Sequence, residues 1–216
     1  MKNIFVNGLS GKMGIAIKDI VLDDPDLEIV KTVSDSDIVI DFSRPESTIS
    51  LVQEAKEYKK PLIIGTTGFT DIELKQIEEA SNEIPIMLSF NMSKGIFYFK
   101  KNIKQFLKDN SDSMKCLISE THHTQKVDAP SGTAIELKKF IELNNNKKYI
   151  TSVEIESKRI LDVFGIHEVT FYNDANHISF KHEALSRKIF ADGAISIAKS
   201  MTGISPGMYT TQEFFK

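Results

Sequence analysis

The chain has 216 residues, a hydrophobic share of 41% and a formal net charge of -3, with acids and bases mixed along its length. This composition suffices for the core of one large domain or two small ones, and it predicts neither a nucleic-acid partner nor binding to an anionic membrane. A single cysteine excludes an intrachain disulfide, and no apolar run approaches the roughly 18 residues of a membrane span. Since residues 1–5 start a strand rather than a signal peptide, we expect a soluble, cytoplasmic protein.

The first predicted strand runs directly into a glycine-rich loop. The strand covers residues 4–7, and the loop reads Gly8, Leu9, Ser10, Gly11, Lys12, Met13 and Gly14. Apolar residues at helical spacing follow, so strand, glycine loop and helix form the first turn of a dinucleotide-binding unit, where the pyrophosphate sits on the helix N-terminus. The spacing Gly-x-x-Gly-x-x-Gly differs from the usual Gly-x-Gly-x-x-Gly, and a plain tight turn is the alternative.

Strands and helices then alternate, with strands predicted at 27–33, 38–42, 62–64 and 84–90 and helices from Pro45 and over 71–82. This alternation predicts a doubly wound parallel sheet, whose ligands lie outside the carboxyl ends of its strands. Three loops meet that condition: 8–14, 65–68 and 89–95. An acid at the end of the second strand usually holds the adenosine ribose, and here Ser34 occupies that end with Asp35 directly after it.

The densest group of reactive side chains lies in residues 120–134, between a strand predicted at 114–118 and a helix that begins around residues 131–133. A helix N-terminus attracts anions, Gly132 allows close approach, Ser131 and Thr133 add hydroxyl donors, and Lys126 adds a cation. His122 and His123 titrate near neutral pH, so either one is a candidate proton donor. We therefore predict a loop that holds a carboxylate-bearing substrate and protonates it.

Two other interpretations of this loop stay open. Ser131 would merely cap the helix if the histidines were solvated loop residues. A zinc site is the second alternative, but consecutive histidines on extended backbone point to opposite faces, and Cys116 adds no pattern of cysteine ligands. We predict no metal.

The second half of the chain predicts a helix at 96–107 and alternating strands at 150–156, 167–172 and 177–183, hence a largely antiparallel sheet. His167, His177 and His182 fit these strands and are expected at the surface or at an interface. A last helix is predicted at 191–201. The expected domains are a dinucleotide-binding domain over 1–94, onto which 191–216 packs back, and a substrate-binding and oligomerisation domain over 95–190.

Several motifs resemble those of the dihydrodipicolinate reductase family, and they occur in family order across nearly the whole chain. They are the stretches 6–14, 41–45, 65–68, 91–95, 120–134 and 189–194. The stretch 120–134 is the most specific of them.

The resemblance implies a Rossmann-type domain that binds NADH or NADPH, an α+β substrate domain, and a homotetramer assembled through the sheet of the second domain. It implies hydride delivery to a small cyclic dicarboxylate, giving tetrahydrodipicolinate in lysine and diaminopimelate synthesis. His122 matches the catalytic proton donor and Lys126 the second catalytic group. The implied substrate contacts, together with the residues of the predicted anion site, are His123, Ser131, Gly132, Thr133 and Arg159. The implied cofactor contacts are Gly8, Leu9, Ser10, Gly11, Lys12, Met13, Gly65, Thr66, Thr67, Ser89, Phe90, Asn91 and Met92.

Two other functions are compatible with part of this pattern. Another NAD(P)H-dependent reductase of an imino or keto acid would share the glycine loops without needing residues 120–134. A non-catalytic dinucleotide sensor would need neither His122 nor Lys126. Asp35 favours NADH, because its carboxylate would repel a 2′-phosphate.

Overall fold

The computed structural model describes residues 1–160 and 163–215, and the chain divides into two compact units. Unit 1 contains Met1–Ser93 and Arg187–Lys216, and unit 2 contains Lys94–Ser186. Leu161, Asp162 and Lys216 lie outside the described residues. Among the described residues, none of the helices combines the length and the apolar composition that crossing a bilayer requires.

Unit 1 is built on a six-stranded sheet in which every pairing is parallel. Its strands are β1 Lys2–Asn7, β2 Leu27–Val30, β3 Ile38–Asp41, β4 Leu62–Ile64, β5 Pro85–Leu88 and β10 Gly207–Tyr209, in the order β10-β5-β4-β3-β1-β2. Its helices are α1 Lys12–Leu22, α2 Pro45–Glu57, α3 Asp71–Ala80, α6 Lys188–Ser200 and α7 Thr211–Phe214. The predicted Rossmann-type architecture is confirmed.

The central strands are buried along their whole length, as continuous apolar runs predict for a parallel sheet covered on both faces. The second strand is shorter than predicted, because β2 ends at Val30 and the chain then turns. Asp35 therefore lies in an exposed turn, where its carboxylate accepts a 2.6 Å hydrogen bond from Thr32 Oγ1. The strand β10 has three residues with no apolar alternation, and the sequence reasoning missed it together with α7.

Unit 2 carries a mixed sheet of four strands, β6 Met114–His122, β7 Ile150–Arg159, β8 Gly165–Tyr172 and β9 His177–Ala184, in the order β7-β6-β8-β9. The β6–β8 and β8–β9 pairs are antiparallel, as expected, whereas β6 and β7 are parallel. Helices α4 Lys94–Asp109 and α5 Gly132–Asn144 join β6 and β8 in one hydrophobic core, whose fully buried members include Ile103, Leu137 and Phe171. This core is the platform for the candidate site.

Candidate active site

The candidate site begins with a buried acid and histidine on β6. Alternate residues of this strand face the core, and Glu120 and His122 continue that pattern beyond Ile118. The prediction that both lie in a loop is therefore wrong, since β6 extends four residues past its predicted end. On the same face of the strand, His122 Nδ1 makes a short hydrogen bond with Glu120 Oε2. These two polar side chains can be buried because each provides a hydrogen-bond partner for the other.

Glu120 is the centre of a larger network. Its Oε1 accepts from Arg159 Nη1 at 3.0 Å and from the backbone N–H of Ser131 at 3.4 Å. In the parallel β6–β7 register Glu120 pairs with Ser157, whose side chain also donates to the carboxylate. Burial acts to raise the pKa of Glu120, but the hydrogen bonds from Ser157 and Arg159 and the nearby charges of His122 and Arg159 outweigh it and lower that pKa. Glu120 is thus a fixed carboxylate.

His122 is held neutral near physiological pH, with one ring nitrogen committed to Glu120. Burial lowers its pKa, opposed by the Glu120 charge and assisted by the charge of Lys126. An ionised Glu120 accepts, so the proton lies on Nδ1 and Nε2 is the exchangeable atom. A Cβ atom on Gly165 would lie 3.1 Å from that Nε2, so the glycine keeps the space beside it open.

His167 on β8 belongs to the same cluster, and the expectation that it lies at the surface is wrong. It is 3% exposed, its ring contacts the His122 ring edge to face with centroids 5.1 Å apart, and Ser131 Oγ lies 3.3 Å from its Nε2. Burial is the main cause that lowers the pKa of His167 to about 3. The alternation of Gly165, His167 and Val169 on the core face was the signal that could have revealed it.

The N-terminus of α5 lies beside this network, as predicted. Ser131 is its N-cap, and its Oγ accepts from the backbone N–H of Ala134 at 3.2 Å. The Asp128 carboxylate accepts from the backbone N–H of Gly132 and lies 2.7 Å from Lys126 Nζ. Burial acts to raise the pKa of Asp128, and the contact with Lys126 outweighs it, so that pKa is lowered. Two groups predicted to bind a substrate carboxylate therefore hold a carboxylate of the protein itself.

Arg159 ties the intervening loop to the network. Besides Glu120, its guanidinium donates to the carbonyl oxygens of Lys126 at 3.3 Å, Lys158 at 2.8 Å and Asp128. Four of its five N–H groups are thereby used. His123 follows the end of β6 and is half-buried, and its carbonyl accepts from the backbone N–H of Lys126 at 3.1 Å.

Direct hydrogen bonds or ion pairs thus join several predicted site residues into one group: His122, Ser131 and Arg159 through Glu120, and Lys126 and Gly132 through Asp128. Thr133 is buried in the first turn of α5. The sequence reasoning assigned no site role to Glu120, His167 or Gly165. If the predicted strand had been extended to His122, the two-residue spacing of Glu120 and His122 would have placed both side chains on the same face and so revealed Glu120.

Three buried groups in this network satisfy the spacing of a metal site. Ligand atoms of Glu120, His122 and His167 lie within 4.8 Å of one another. Both Glu120 oxygens already accept hydrogen bonds within the protein, however, and the cation of Arg159 lies against one of them. We assign no metal to this cluster.

The predicted cofactor loop of unit 1 has the geometry that its glycines require. Gly8 has φ +84°, and a Cβ there would lie 2.5 Å from the Phe42 carbonyl oxygen. A Cβ on Gly14 would lie 2.4 Å from Leu9 Cα. Gly11 is the N-cap of α1, and its N–H donates to the Gly8 carbonyl at 2.9 Å. A helix begins directly after this tight loop, and a helix N-terminus in this position is the usual binding site for a phosphate.

The remaining members of the predicted cofactor set occupy three loops at the carboxyl end of the unit 1 sheet. Leu9, Ser10, Lys12, Thr67 and Phe90 are exposed, and Gly8, Met13, Gly65, Ser89 and Asn91 are partly buried. Thr66 and Met92 are buried. The segment 89–92 is braced by Ser89 Oγ, which donates to the Asn91 carbonyl at 2.9 Å. Close packing also fixes it, since a Cβ on Gly193 of α6 would lie 1.7 Å from the Met92 carbonyl oxygen.

Comparison with known proteins identifies the family. Residues 31–92 match the N-terminal and residues 95–215 the C-terminal family model of dihydrodipicolinate reductase. The chain is 34% identical to a 4-hydroxy-tetrahydrodipicolinate reductase of Akkermansia muciniphila, over 99% of this chain and 97% of that protein. It is 38% identical to the protein of the same name from Clostridium tetani, over 97% and 95%.

A solved structure shows the same fold: dipicolinate-bound dihydrodipicolinate reductase from Paenisporosarcina sp. TG-14 superposes with a TM-score of 0.75 at 19% identity, covering 97% of each chain. Both family models match in chain order, and the relatives align over nearly their full lengths. The chain belongs to the dihydrodipicolinate reductase family.

Proposed function

We infer that the chain is an oxidoreductase that catalyses the reaction of its family, the NAD(P)H-dependent reduction of 4-hydroxy-tetrahydrodipicolinate to tetrahydrodipicolinate in lysine and diaminopimelate synthesis. The observation that carries this inference is the Glu120–His122 pair beside the N-terminus of α5, in a chain that aligns with reductases of this name. The reaction needs groups that bind two carboxylates and one that provides a proton. The rival function of a non-catalytic dinucleotide sensor would have no use for this network.

We propose His122 as the proton donor. Glu120 keeps a proton on Nδ1, so the proton that is transferred is carried by Nε2, beside Gly165. When Nε2 takes up a proton the ring becomes a cation, and the buried carboxylate of Glu120 stabilises that cation. Glu120 therefore orients the ring and favours its acidic form.

Lys126, the first turn of α5 and His123 are proposed to bind the substrate carboxylates. An ammonium group and the N-terminal N–H groups of a helix attract anions, and here they already hold the Asp128 carboxylate. A substrate carboxylate would take its place or bind next to it. For Arg159, whose guanidinium is mostly used within the protein, the contacts favour a role in fixing Glu120 and the loop 126–128.

The nicotinamide cofactor, when bound, supplies the hydride. We propose that it lies against the loops 8–13, 65–67 and 89–92, where Gly8 and Gly65 let the chain pack closely against Phe42 and so set the shape of two of these loops. NADH is expected to serve at least as well as NADPH, because the exposed carboxylate of Asp35 would repel a 2′-phosphate. The ratio of kcat/KM for the two cofactors tests this. A clear NADPH preference that persists in Asp35→Ala would refute the role of Asp35.

We propose a homotetramer formed through the face of the unit 2 sheet that its helices leave uncovered. Leu117, Ile166 and Tyr172 project from this face and are half-buried in the single chain. Light scattering of the purified protein measures its mass directly, and a monomer at micromolar concentration would refute the assembly.

One assay tests the proposed reaction: oxidation of NADH or NADPH in the presence of the freshly made condensation product of pyruvate and aspartate semialdehyde. Lys126→Ala is expected to lower turnover sharply and to leave the dissociation constant of the cofactor nearly unchanged. The matched control is Lys139→Ala, an exposed lysine on α5. A cofactor affinity that fell as much as turnover would place Lys126 in the cofactor site instead.

A further inference from the structure

Asp41, the last residue of β3, is a fully buried acid at the carboxyl end of the unit 1 sheet. Four neutral side chains donate to its carboxylate. Asn7 Nδ2 and Ser43 Oγ donate to Oδ1 at 2.8 and 2.5 Å, and Thr48 Oγ1 and Thr66 Oγ1 donate to Oδ2 at 2.6 and 2.7 Å. Each oxygen thus accepts two hydrogen bonds, which is its usual capacity.

Asp41 lies in the sheet between the two strands that lead into the glycine loops. Strand β3 lies between β1 and β4, and Asp41 pairs with Asn7 on one side and Ile64 on the other. These are the last residues of the two strands that lead into the loops 8–14 and 65–68. The chain order also reverses between β1 and β3, which is where doubly wound sheets bind their ligands.

The donors connect the acid to both glycine loops. Asn7 immediately precedes Gly8, and Thr66 immediately follows Gly65, whose backbone N–H donates to the Asp41 carbonyl at 2.8 Å. Because the Thr66 side chain is 4% exposed and directed at Asp41, its hydroxyl serves the protein rather than a ligand.

The same acid also holds the intervening segment. Ser43 reaches Thr66 as well, since its backbone N–H donates to Thr66 Oγ1 at 2.9 Å. Thr48, like Ser43, belongs to neither glycine loop, and it lies inside α2.

We propose that Asp41 is a positioning residue that sets the relative placement of the two glycine loops for the dinucleotide without contacting it. A phosphate-binding loop works through the exact placement of its backbone, so an acceptor shared by two loops controls the affinity of both. This role rests on the contacts of Asp41 and on the proposed nicotinamide cofactor.

The test compares cofactor binding in variants of the full chain, with dissociation constants for NADH and NADPH and the urea midpoint measured for each. Asp41→Ala should weaken dinucleotide binding at least tenfold and raise the KM for the cofactor, with kcat at saturating cofactor nearly unchanged. Asp41→Asn should remain within about threefold of wild type, because Asn keeps Oδ1 and threonine hydroxyls can accept from its amide. The matched control is Asp37→Ala, since Asp37 accepts from the backbone N–H of Asn3 at 2.7 Å at the opposite end of β3.

A second pair keeps the proposal testable if Asp41→Ala does not fold. Thr66→Val and Thr48→Val each remove one donor from the same Oδ2 atom, but only Thr66 belongs to a glycine loop. We expect Thr66→Val to weaken dinucleotide binding and Thr48→Val to lower the urea midpoint alone. Equal effects of the two substitutions on binding, or no effect of either, would overturn the proposal. A wild-type chain that bound neither dinucleotide would instead refute the proposed cofactor.

Discussion

Replacing Glu120 by glutamine should disable proton donation while leaving the shape of the site intact. Arg159 and the backbone of Ser131 both donate to Oε1, so the glutamine oxygen is held there and its NH2 group faces His122 Nδ1. Nδ1 must then accept rather than donate. The His122 cation would lose its carboxylate partner and face a second donor.

The size of the effect follows from the contact between the two groups. They are hydrogen-bonded, so their charges lie within about 4 Å, where a charge pair is worth roughly 4 kcal/mol at an effective dielectric of 20. Losing it would disfavour the His122 cation by up to about 10³-fold, within the range of about 10² to 10⁴ typical of a lost acid catalyst. We expect turnover in Glu120→Gln to fall about 10²- to 10³-fold.

The assay is cofactor oxidation as a function of pH, with Glu156→Gln as the matched control on the exposed face of β7. Burial lowers the pKa of His122, so its acidic form is lost as pH rises through a value below the ordinary one. The kcat/KM of the wild type should therefore decline with rising pH, and the Glu120→Gln decline should move to lower pH. Activity within threefold of wild type, or an unmoved pH profile, would refute the role of Glu120.

Three further predictions follow from individual contacts. Asp128→Asn should lower the KM for the proposed dicarboxylate substrate about fivefold, equivalent to roughly 1 kcal/mol, by removing a negative charge that holds Lys126, and a higher KM in the reductase assay would contradict this. In the folded protein His167 has a pKa of about 3, so the wild type loses stability as pH falls below the unfolded pKa of about 6.5, by roughly 2 kcal/mol at pH 5. His167→Asn removes this group, so the variant should lose less stability on acidification than the wild type. Urea unfolding at about pH 7.5 and about pH 5 measures this loss of stability. The control variant His177→Asn, at an exposed histidine, should lose as much stability on acidification as the wild type. Gly193→Ala should destabilise unit 1 by about 2 kcal/mol or more, since its Cβ would overlap the Met92 carbonyl, and an unchanged urea midpoint would refute that packing.

The parallel sheet of unit 1 was predictable because its central strands are short, continuous apolar runs, and because β1 and β4 lead into glycine loops. That local signal required no knowledge of distant residues. It failed for β10, whose three residues form a strand only because they pair with β5, more than a hundred residues earlier in the chain. The turn after β2 was also missed, so the sequence placed Asp35 at a strand end that the structure does not have.

The sequence predicted which stretch of the chain holds the candidate site, but not the hydrogen bonds that connect its residues. Glu120 and His122 look like loop residues in sequence because both are polar, yet they are buried. Their burial depends on Arg159, which is 39 residues further along the chain, and on Ser131. His167 was misjudged for the same reason, since its partner Ser131 lies 36 residues earlier. Partners that satisfy a buried polar group are set by the tertiary fold, and local patterns do not contain them.

Comparing His122→Gln with His123→Gln tests the central claim, that His122 delivers the proton, most directly. The two residues are adjacent, but only His122 lies on the core face of β6 and bonds Glu120. In the reductase assay with the pyruvate–aspartate semialdehyde condensation product, His122→Gln should lower turnover about 10²- to 10⁴-fold, and His123→Gln should mainly raise the KM for the dicarboxylate. Equal losses of turnover in the two variants, or none in His122→Gln, would contradict the account.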